Sequence, residues 1–113
     1  MKALARHHLI EFFGCAPRRV GSGKAVEEAL DLFCREARLN RVRKARHAFV
    51  PHGLTVALIL KESHLVLSTW PERRYAVMSL QLCAEVPVLN KSLSALRRGL
   101  GAKRLRRRLW RCG

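Results

Sequence analysis

Residues 54–83 read LTVALILKESHLVLSTWPERRYAVMSLQLC, and this stretch decides the fold. It holds three short apolar segments, at 54–60, 65–70 and 75–83, in which branched side chains are common. Such segments are typical of strands in the interior of a sheet. The polar links between them are short, and a short link between neighbouring strands implies antiparallel pairing. The stretch therefore predicts three consecutive antiparallel strands.

A helix is predicted on each side of this stretch. After Ser22, a suitable N-cap, apolar residues recur at three- and four-residue spacing up to Ala37, and Asn40 is the expected stop. Residues 87–98 show the same spacing, and Gly99 follows them as an end signal. Each helix has one apolar face, so each must pack against another element.

Three more strands complete the pattern, at 3–13, 41–49 and 103–110, although the last of these is equally readable as an arginine-rich tail. The order is then strand, helix, four strands, helix, strand. We expect an α/β (α+β) protein, a two-layer sandwich in which an antiparallel sheet carries the helices on one face. Residues 1–113 are expected to form a single domain.

Composition and charge limit the function. The chain has 113 residues, 49% apolar and 27% charged, with 23 Lys and Arg against 8 Asp and Glu, a net charge of +15. Two basic clusters, at 35–46 and 97–113, would attract phosphate backbones or other anions. Only Trp110 lies among the arginines of the second cluster, whereas binding of nucleic-acid bases uses several aromatic rings. Nucleic-acid binding is therefore a minor alternative.

No segment indicates a membrane or secreted protein. No apolar run approaches the ~20 residues of a membrane helix, and charged residues and histidines interrupt the N-terminal segment where a signal peptide is apolar. We expect a cytoplasmic protein without membrane contact, so its cysteines should be reduced. These are Cys15, Cys34, Cys83 and Cys112.

The sequence contains neither a recognisable metal-binding motif nor a phosphate-binding loop. The cysteines form no C-x-x-C pair, and His7 and His8 on a strand point to opposite faces, so no metal site is expected. The segment GSGK at 21–24 lacks the preceding glycine and the following Ser or Thr of a phosphate-binding loop. We reject that interpretation of the segment.

Three short motifs and one cysteine occur in order: FVPHG at 49–53, ESHL at 62–65, TWPE at 69–72, and Cys83. Each motif alone is weak evidence for a protein family, but the whole set, in this order and at this spacing, is specific. On these residues the sequence resembles the short prokaryotic S-adenosylmethionine decarboxylases, which depend on a pyruvoyl group. The resemblance covers nearly the whole chain, with residues 2–15 similar to the family's first strand and turn.

The resemblance implies a proenzyme that cleaves itself. In the family the serine at the Ser63 position attacks the carbonyl of the preceding residue, here Glu62, and the chain breaks between residues 62 and 63. Ser63 would become the pyruvoyl group, which forms a Schiff base with the substrate amine and takes up the electrons freed by decarboxylation. Cys83 would be the proton donor, and no metal would be needed.

The resemblance also implies a site for S-adenosylmethionine. Phe49 would stack on the adenine, Glu72 would hold the ribose hydroxyls, and Trp70 would shape the pocket. Taken alone, Phe49 and Trp70 are interpreted as core residues, and Cys83 as a buried strand cysteine. The product would supply aminopropyl groups for spermidine synthesis. The protomers would pair as a homodimer, with both contributing to each site.

Departures from the family pattern bear on this expectation. Ser68 stands where the family has a histidine that accepts and donates protons during processing, and a serine hydroxyl is not basic near neutral pH. His52 and His64 are the nearest imidazoles in sequence, although strand alternation would turn His64 away from Ser63. Thr55 replaces a serine of the family and keeps the hydroxyl.

Arg73 and Arg74 stand where the family tends to have Tyr-Gly. Their charge beside the expected pocket would favour an anionic group over a cationic substrate. The main alternative is an unprocessed, catalytically impaired paralogue that binds a ligand or regulates a partner subunit, as Ser68 indicates. Decarboxylation of another amino acid, such as ornithine or arginine, also stays open.

Overall fold

The computed structural model describes residues 3–113, so Lys2, at the start of the first family-like segment, lies outside the described residues. The strands are β1 (Ala5–Phe13), β2 (Arg41–Ala48), β3 (Leu54–Leu60), β4 (Ser63–Trp70), β5 (Tyr75–Leu82) and β6 (Arg104–Cys112). The helices are α1 (Pro17–Val20), α2 (Gly23–Ala37) and α3 (Leu89–Gly99), and Pro71–Arg73 forms one 3₁₀ turn.

The strands form one sheet in the order β2-β3-β4-β5-β1-β6. All five neighbouring pairs are antiparallel. Alternate residues of β1, β3, β4 and β5 are buried, and with the apolar faces of α2 and α3 they make up the core. The predicted two-layer antiparallel sandwich with helices on one face is confirmed.

Helix α2 follows its sequence signals closely. The Ser22 side chain accepts a hydrogen bond from the backbone N–H of Ala25 (3.1 Å), which satisfies one of the free amides of the first turn. At the other end Arg38 adopts a left-handed conformation with φ of 58°, two residues before the predicted stop at Asn40. The short helix α1 was not predicted, because four residues are too few to show a helical period.

Several strand boundaries differ from expectation by one or two residues. Strand β4 begins at Ser63 rather than residue 65, because Ser63 pairs with Leu60 across a two-residue turn. Strand β5 ends at Leu82, so the prediction that Cys83 belongs to it was wrong. Residues 104–112 are a strand and not a tail, because β6 pairs with β1 along its whole length.

The cysteines fall into two groups. Cys15 and Cys34 are buried in the core, and burial raises the pKa of each thiol to about 11, as suits structural rather than reactive residues. Cys83 and Cys112 are exposed. Within residues 3–113 no helix is long and apolar enough to cross a membrane.

Candidate active site

A cavity of about 390 Å³ opens where β3 begins and β4 ends. Antiparallel pairing brings these two strand ends together, since Thr55 lies opposite Ser68. The three predicted substrate-binding residues line the cavity. So do two of the residues predicted to support the site and Ser68, which replaces the expected histidine. Its lining is Phe49, His52, Thr55, Ser68, Thr69, Trp70 and Glu72.

The loop between β2 and β3 is held in place by backbone and hydroxyl contacts. The backbone N–H of Phe49 donates to the carbonyl of Gly53 (2.8 Å). Gly53 has φ of 91°, and a Cβ there would lie 2.6 Å from the carbonyl oxygen of Thr69, so only glycine fits. The Thr69 hydroxyl donates to Val20 on α1 (2.8 Å) and accepts from the N–H of Leu54 (3.1 Å). This buried threonine therefore fixes the cavity wall to the helical layer.

The two aromatic rings of the cavity are not core residues. Phe49 is 52% exposed and Trp70 is 41% exposed, so the interpretation of each as core packing was wrong. The imidazole of His47 meets the Phe49 ring edge-on (4.7 Å between centroids), and Tyr75 supports Trp70 (5.7 Å). Supported rings with an exposed surface are suited to binding a planar ligand.

The position at which the resemblance predicts a histidine is occupied by a pair of hydroxyl groups. Thr55 Oγ1 and Ser68 Oγ lie 2.9 Å apart, and each satisfies the other. Neither group is a base at neutral pH. The imidazole in this cavity comes instead from His52, on the opposite loop.

The Glu62–Ser63 junction lies at the other end of β4. The Glu62 carboxylate accepts hydrogen bonds from the backbone N–H (2.9 Å) and side-chain amide (2.7 Å) of Asn40. These bonds, the backbone bond first, hold the pKa of the Glu62 carboxyl below its usual value. The sequence identified Asn40 only as a helix stop, and no motif indicated that it anchors this turn.

The backbone of Ser63, directly after the Glu62 carbonyl, has an unusual conformation. Ser63 has φ of 145°, a region that residues other than glycine rarely adopt, at a cost on the order of 1–3 kcal/mol. The carbonyl oxygen of Glu62 accepts a hydrogen bond from the backbone N–H of Cys83 (2.9 Å). Negative charge developing on that oxygen would therefore meet an oriented donor.

His64 lies against the Ser63 hydroxyl. Ser63 Oγ and His64 Nδ1 are 3.2 Å apart. The expectation that His64 turns away from Ser63 was wrong, because the positive φ of Ser63 interrupts the regular alternation of the strand. Of the two candidate imidazoles, His64 is the one in contact with the serine.

The predicted site residues therefore form two clusters in one chain. The pocket cluster consists of Phe49, His52, Thr55, Ser68, Trp70 and Glu72. The junction cluster consists of Glu62, Ser63, His64 and Cys83. Ser68 lies five residue steps along the extended strand from Ser63, or about 17 Å away. One protomer does not bring the two clusters into contact.

A solved structure shares this fold. The adenosylmethionine decarboxylase of Aquifex aeolicus superposes with a TM-score of 0.88, covering 100% of this chain and 93% of that chain, at 24% identity. At that identity the match establishes the architecture, with the same antiparallel sandwich over the full length of this chain.

Sequence comparison identifies the family. The model of the S-adenosylmethionine decarboxylase family matches residues 6–111. The S-adenosylmethionine decarboxylase proenzyme of Thermotoga petrophila is 32% identical over 105 residues, 93% of this chain and 81% of that protein. The Moorella thermoacetica proenzyme of the same name is 36% identical over 85 residues, 75% of this chain and 68% of that protein.

The chain thus belongs to the S-adenosylmethionine decarboxylase family, a family of carboxy-lyases, and the family resemblance is confirmed. The family is of the pyruvoyl-dependent type. Such a group needs a serine next to an activated peptide carbonyl. The residues of this chain fit that requirement, because Ser63 follows a carbonyl that already accepts a hydrogen bond from Cys83.

Proposed function

We propose that this chain cleaves itself between Glu62 and Ser63 and then decarboxylates S-adenosylmethionine with the pyruvoyl group derived from Ser63. The observation that carries the proposal is the junction cluster. A serine hydroxyl, an imidazole and a backbone donor surround one peptide bond, at a residue with φ of 145°. The family membership supports the substrate and the reaction.

Self-cleavage begins with attack of Ser63 Oγ on the carbonyl carbon of Glu62. The electron pair of the carbonyl moves onto the oxygen, where the N–H of Cys83 stabilises the negative charge. The C–N bond then breaks, leaving an ester and the free amine of residue 63. Loss of the Ser63 α-proton and cleavage of the ester C–O bond release the new C-terminal α-carboxylate of residue 62. Water then displaces the nitrogen, which leaves as ammonia, and a ketone remains at residue 63.

In this chain His64 serves as the base that Ser68 cannot be. In the tautomer protonated at Nε2, the Nδ1 atom accepts the Ser63 hydroxyl proton across the 3.2 Å contact. The same imidazolium returns the proton to the departing nitrogen, so the step consumes no external acid or base. General acid–base assistance of this kind is typically worth ~10²–10⁴-fold in rate.

The pocket cluster binds the nucleoside of the substrate. The exposed ring of Phe49 stacks on the adenine, Trp70 forms the neighbouring wall, and the exposed Glu72 carboxylate accepts hydrogen bonds from the ribose hydroxyls. When present, the pyruvoyl group supplies an electron sink for decarboxylation. Cys83 holds the proton for the substrate carbon. The product donates aminopropyl groups for spermidine synthesis in the cytoplasm.

The working unit is a homodimer. Because the junction and pocket clusters lie about 17 Å apart in one protomer, a second protomer is needed to bring them together. The sheet face away from the helices suits such pairing, since its centre carries small or apolar, partly exposed residues, among them Leu9, Ala57, Val66 and Val77. A two-fold axis there would set the junction of each protomer over the pocket of its partner.

The experiment follows cleavage and activity in one variant series. The wild-type chain should cleave and release carbon dioxide from S-adenosylmethionine, and Ser63→Ala should do neither. His64→Ala should slow cleavage by about a hundredfold or more, and added imidazole should restore it. His52→Ala is the matched control and should cleave at the wild-type rate.

Each contrary outcome has a definite meaning. Equal cleavage of His64→Ala and wild type would remove His64 as the base, and loss of cleavage in His52→Ala alone would assign that role to the pocket imidazole. A chain that cleaves but leaves S-adenosylmethionine intact would overturn the substrate, and ornithine and arginine would be assayed next. A wild-type chain that never cleaves would favour the unprocessed paralogue.

A further inference from the structure

A second, larger cavity adjoins the pocket cluster. Its volume is about 730 Å³, and it shares Phe49, His52 and Glu72 with the smaller cavity. The two cavities therefore adjoin at the loop that carries Phe49. None of the roles proposed above uses the larger part.

The larger cavity has more basic than acidic side chains in its lining. Four basic side chains line it, and Glu72 on the shared wall is its one carboxylate within the described residues; the four are Arg18, Lys24, Arg46 and Arg74. Arg46 pairs with Glu27 (2.8 Å), and Lys24 lies 3.8 Å from Glu28. Arg18 and Arg74 have no carboxylate within 4.0 Å among residues 3–113, so their charge is not neutralised.

The backbone adds to this positive potential. Gly23 and Lys24, the first residues of the 15-residue helix α2, line the cavity, where the helix dipole is positive. A Cβ at Gly23 would clash with Nη1 of Arg46, so the glycine allows the guanidinium to approach the start of the helix. The GSGK segment, which is not a phosphate-binding loop by sequence, thus contributes to a cationic cavity by a different geometry.

We propose that this cavity binds the phosphate groups of an adenine nucleotide whose nucleoside occupies the pocket cluster. Cationic side chains and the N-terminus of a helix attract phosphate, and guanidinium groups bind phosphate through bidentate hydrogen bonds. The inference rests on the proposed nucleoside-binding role of that pocket. Because the nucleoside sites coincide, the nucleotide competes with S-adenosylmethionine and acts as an inhibitor of the decarboxylase.

Binding is measured by calorimetry with ATP, AMP, adenosine and inorganic tripolyphosphate. The affinity should rise from adenosine to AMP to ATP, and tripolyphosphate alone should bind more weakly than ATP. Arg74→Gly should weaken ATP about tenfold and leave adenosine unchanged. Residue 74 has φ of 50°, which glycine adopts freely, so this variant keeps the backbone conformation. Arg73→Gln, which removes a neighbouring charge outside the cavity, is the matched control.

Several results would overturn the proposal. These are equal affinity for ATP and adenosine, equal affinity for tripolyphosphate and ATP, or equal weakening of ATP binding by Arg73→Gln and Arg74→Gly. Tighter binding of a single-stranded oligonucleotide than of ATP would indicate that the basic side chains bind nucleic acid instead. The titrations are repeated with Ser63→Ala, which cannot cleave. Nucleotide binding by that variant would support the proposal even if self-cleavage fails.

Discussion

At the scale of single residues, Ser63 shows where prediction from sequence stops. The motif ESHL singled out the serine as the predicted site residue beside an imidazole, but strand alternation placed the two side chains on opposite faces. The backbone of Ser63 departs from that rule with φ of 145°, and the two side chains meet at 3.2 Å. Such a departure follows from the tight turn anchored by Asn40 and Cys83, which are distant in sequence, so no local pattern shows it.

His8 follows the alternation rule and gives a stability prediction. It is buried on the helix-facing side of β1, and its Nδ1 has no hydrogen-bond partner within residues 3–113. Burial, followed by the positive charge of Arg107, lowers the pKa of His8. An unpaired buried polar atom costs about 1–3 kcal/mol. We therefore expect His8→Leu to raise the free energy of unfolding at neutral pH.

The same residue predicts a pH dependence. In the unfolded chain an imidazole takes up its proton at about pH 6.5, whereas folded His8 stays neutral to lower pH. Stability from this group is thus lost as the pH falls below about 6.5. Urea unfolding of wild type and His8→Leu at about pH 7 and about pH 5 tests this. An equal loss of stability in both proteins on acidification would contradict it.

At the scale of elements, periodicity predicted most of the fold. The three- and four-residue spacing of apolar side chains gave α2 and α3, and the short apolar segments gave β3, β4 and β5. Helix α1 was not predicted because a single turn has no measurable period, although proline, here Pro17, is favoured at the first position of a helix. Its carbonyl at Val20 proves important, since it accepts the Thr69 hydroxyl that holds the cavity wall.

Strand β6 was ambiguous because its charge obscures its pattern. Arginine at alternate positions is compatible with an edge strand, where cations also discourage pairing with other chains. Pairing with β1 resolves the ambiguity: Arg106 donates to Glu11 (2.6 Å), and that carboxylate also accepts from the Tyr75 hydroxyl (2.7 Å). Such long-range partners are not visible in the sequence of the segment itself.

At the scale of the whole molecule, the separation of the two clusters has a direct consequence. A Ser63→Ala chain keeps the pocket cluster, and a chain with both Phe49→Ala and Glu72→Gln keeps the junction cluster. In a mixed dimer one of the two sites would receive an intact half from each chain. We therefore expect two inactive variants, produced together, to regain about a quarter of wild-type activity, since half of the dimers are mixed.

This complementation test distinguishes a site shared between two protomers from a site formed within one protomer. If each site were formed within one protomer, the mixture would stay as inactive as either variant alone. Sedimentation analysis of both variants serves as the control, because loss of pairing would also prevent complementation. Variants that pair normally yet never complement would contradict the shared site.

The central claim is that the Glu62–Ser63 junction cleaves itself without a histidine at position 68. Intact-mass spectrometry of the denatured wild-type protein tests it most directly. We predict two chains of 62 and 51 residues, the second without an amino terminus and reactive toward a carbonyl reagent. A single species of 12.9 kDa that persists through long incubation would contradict the account.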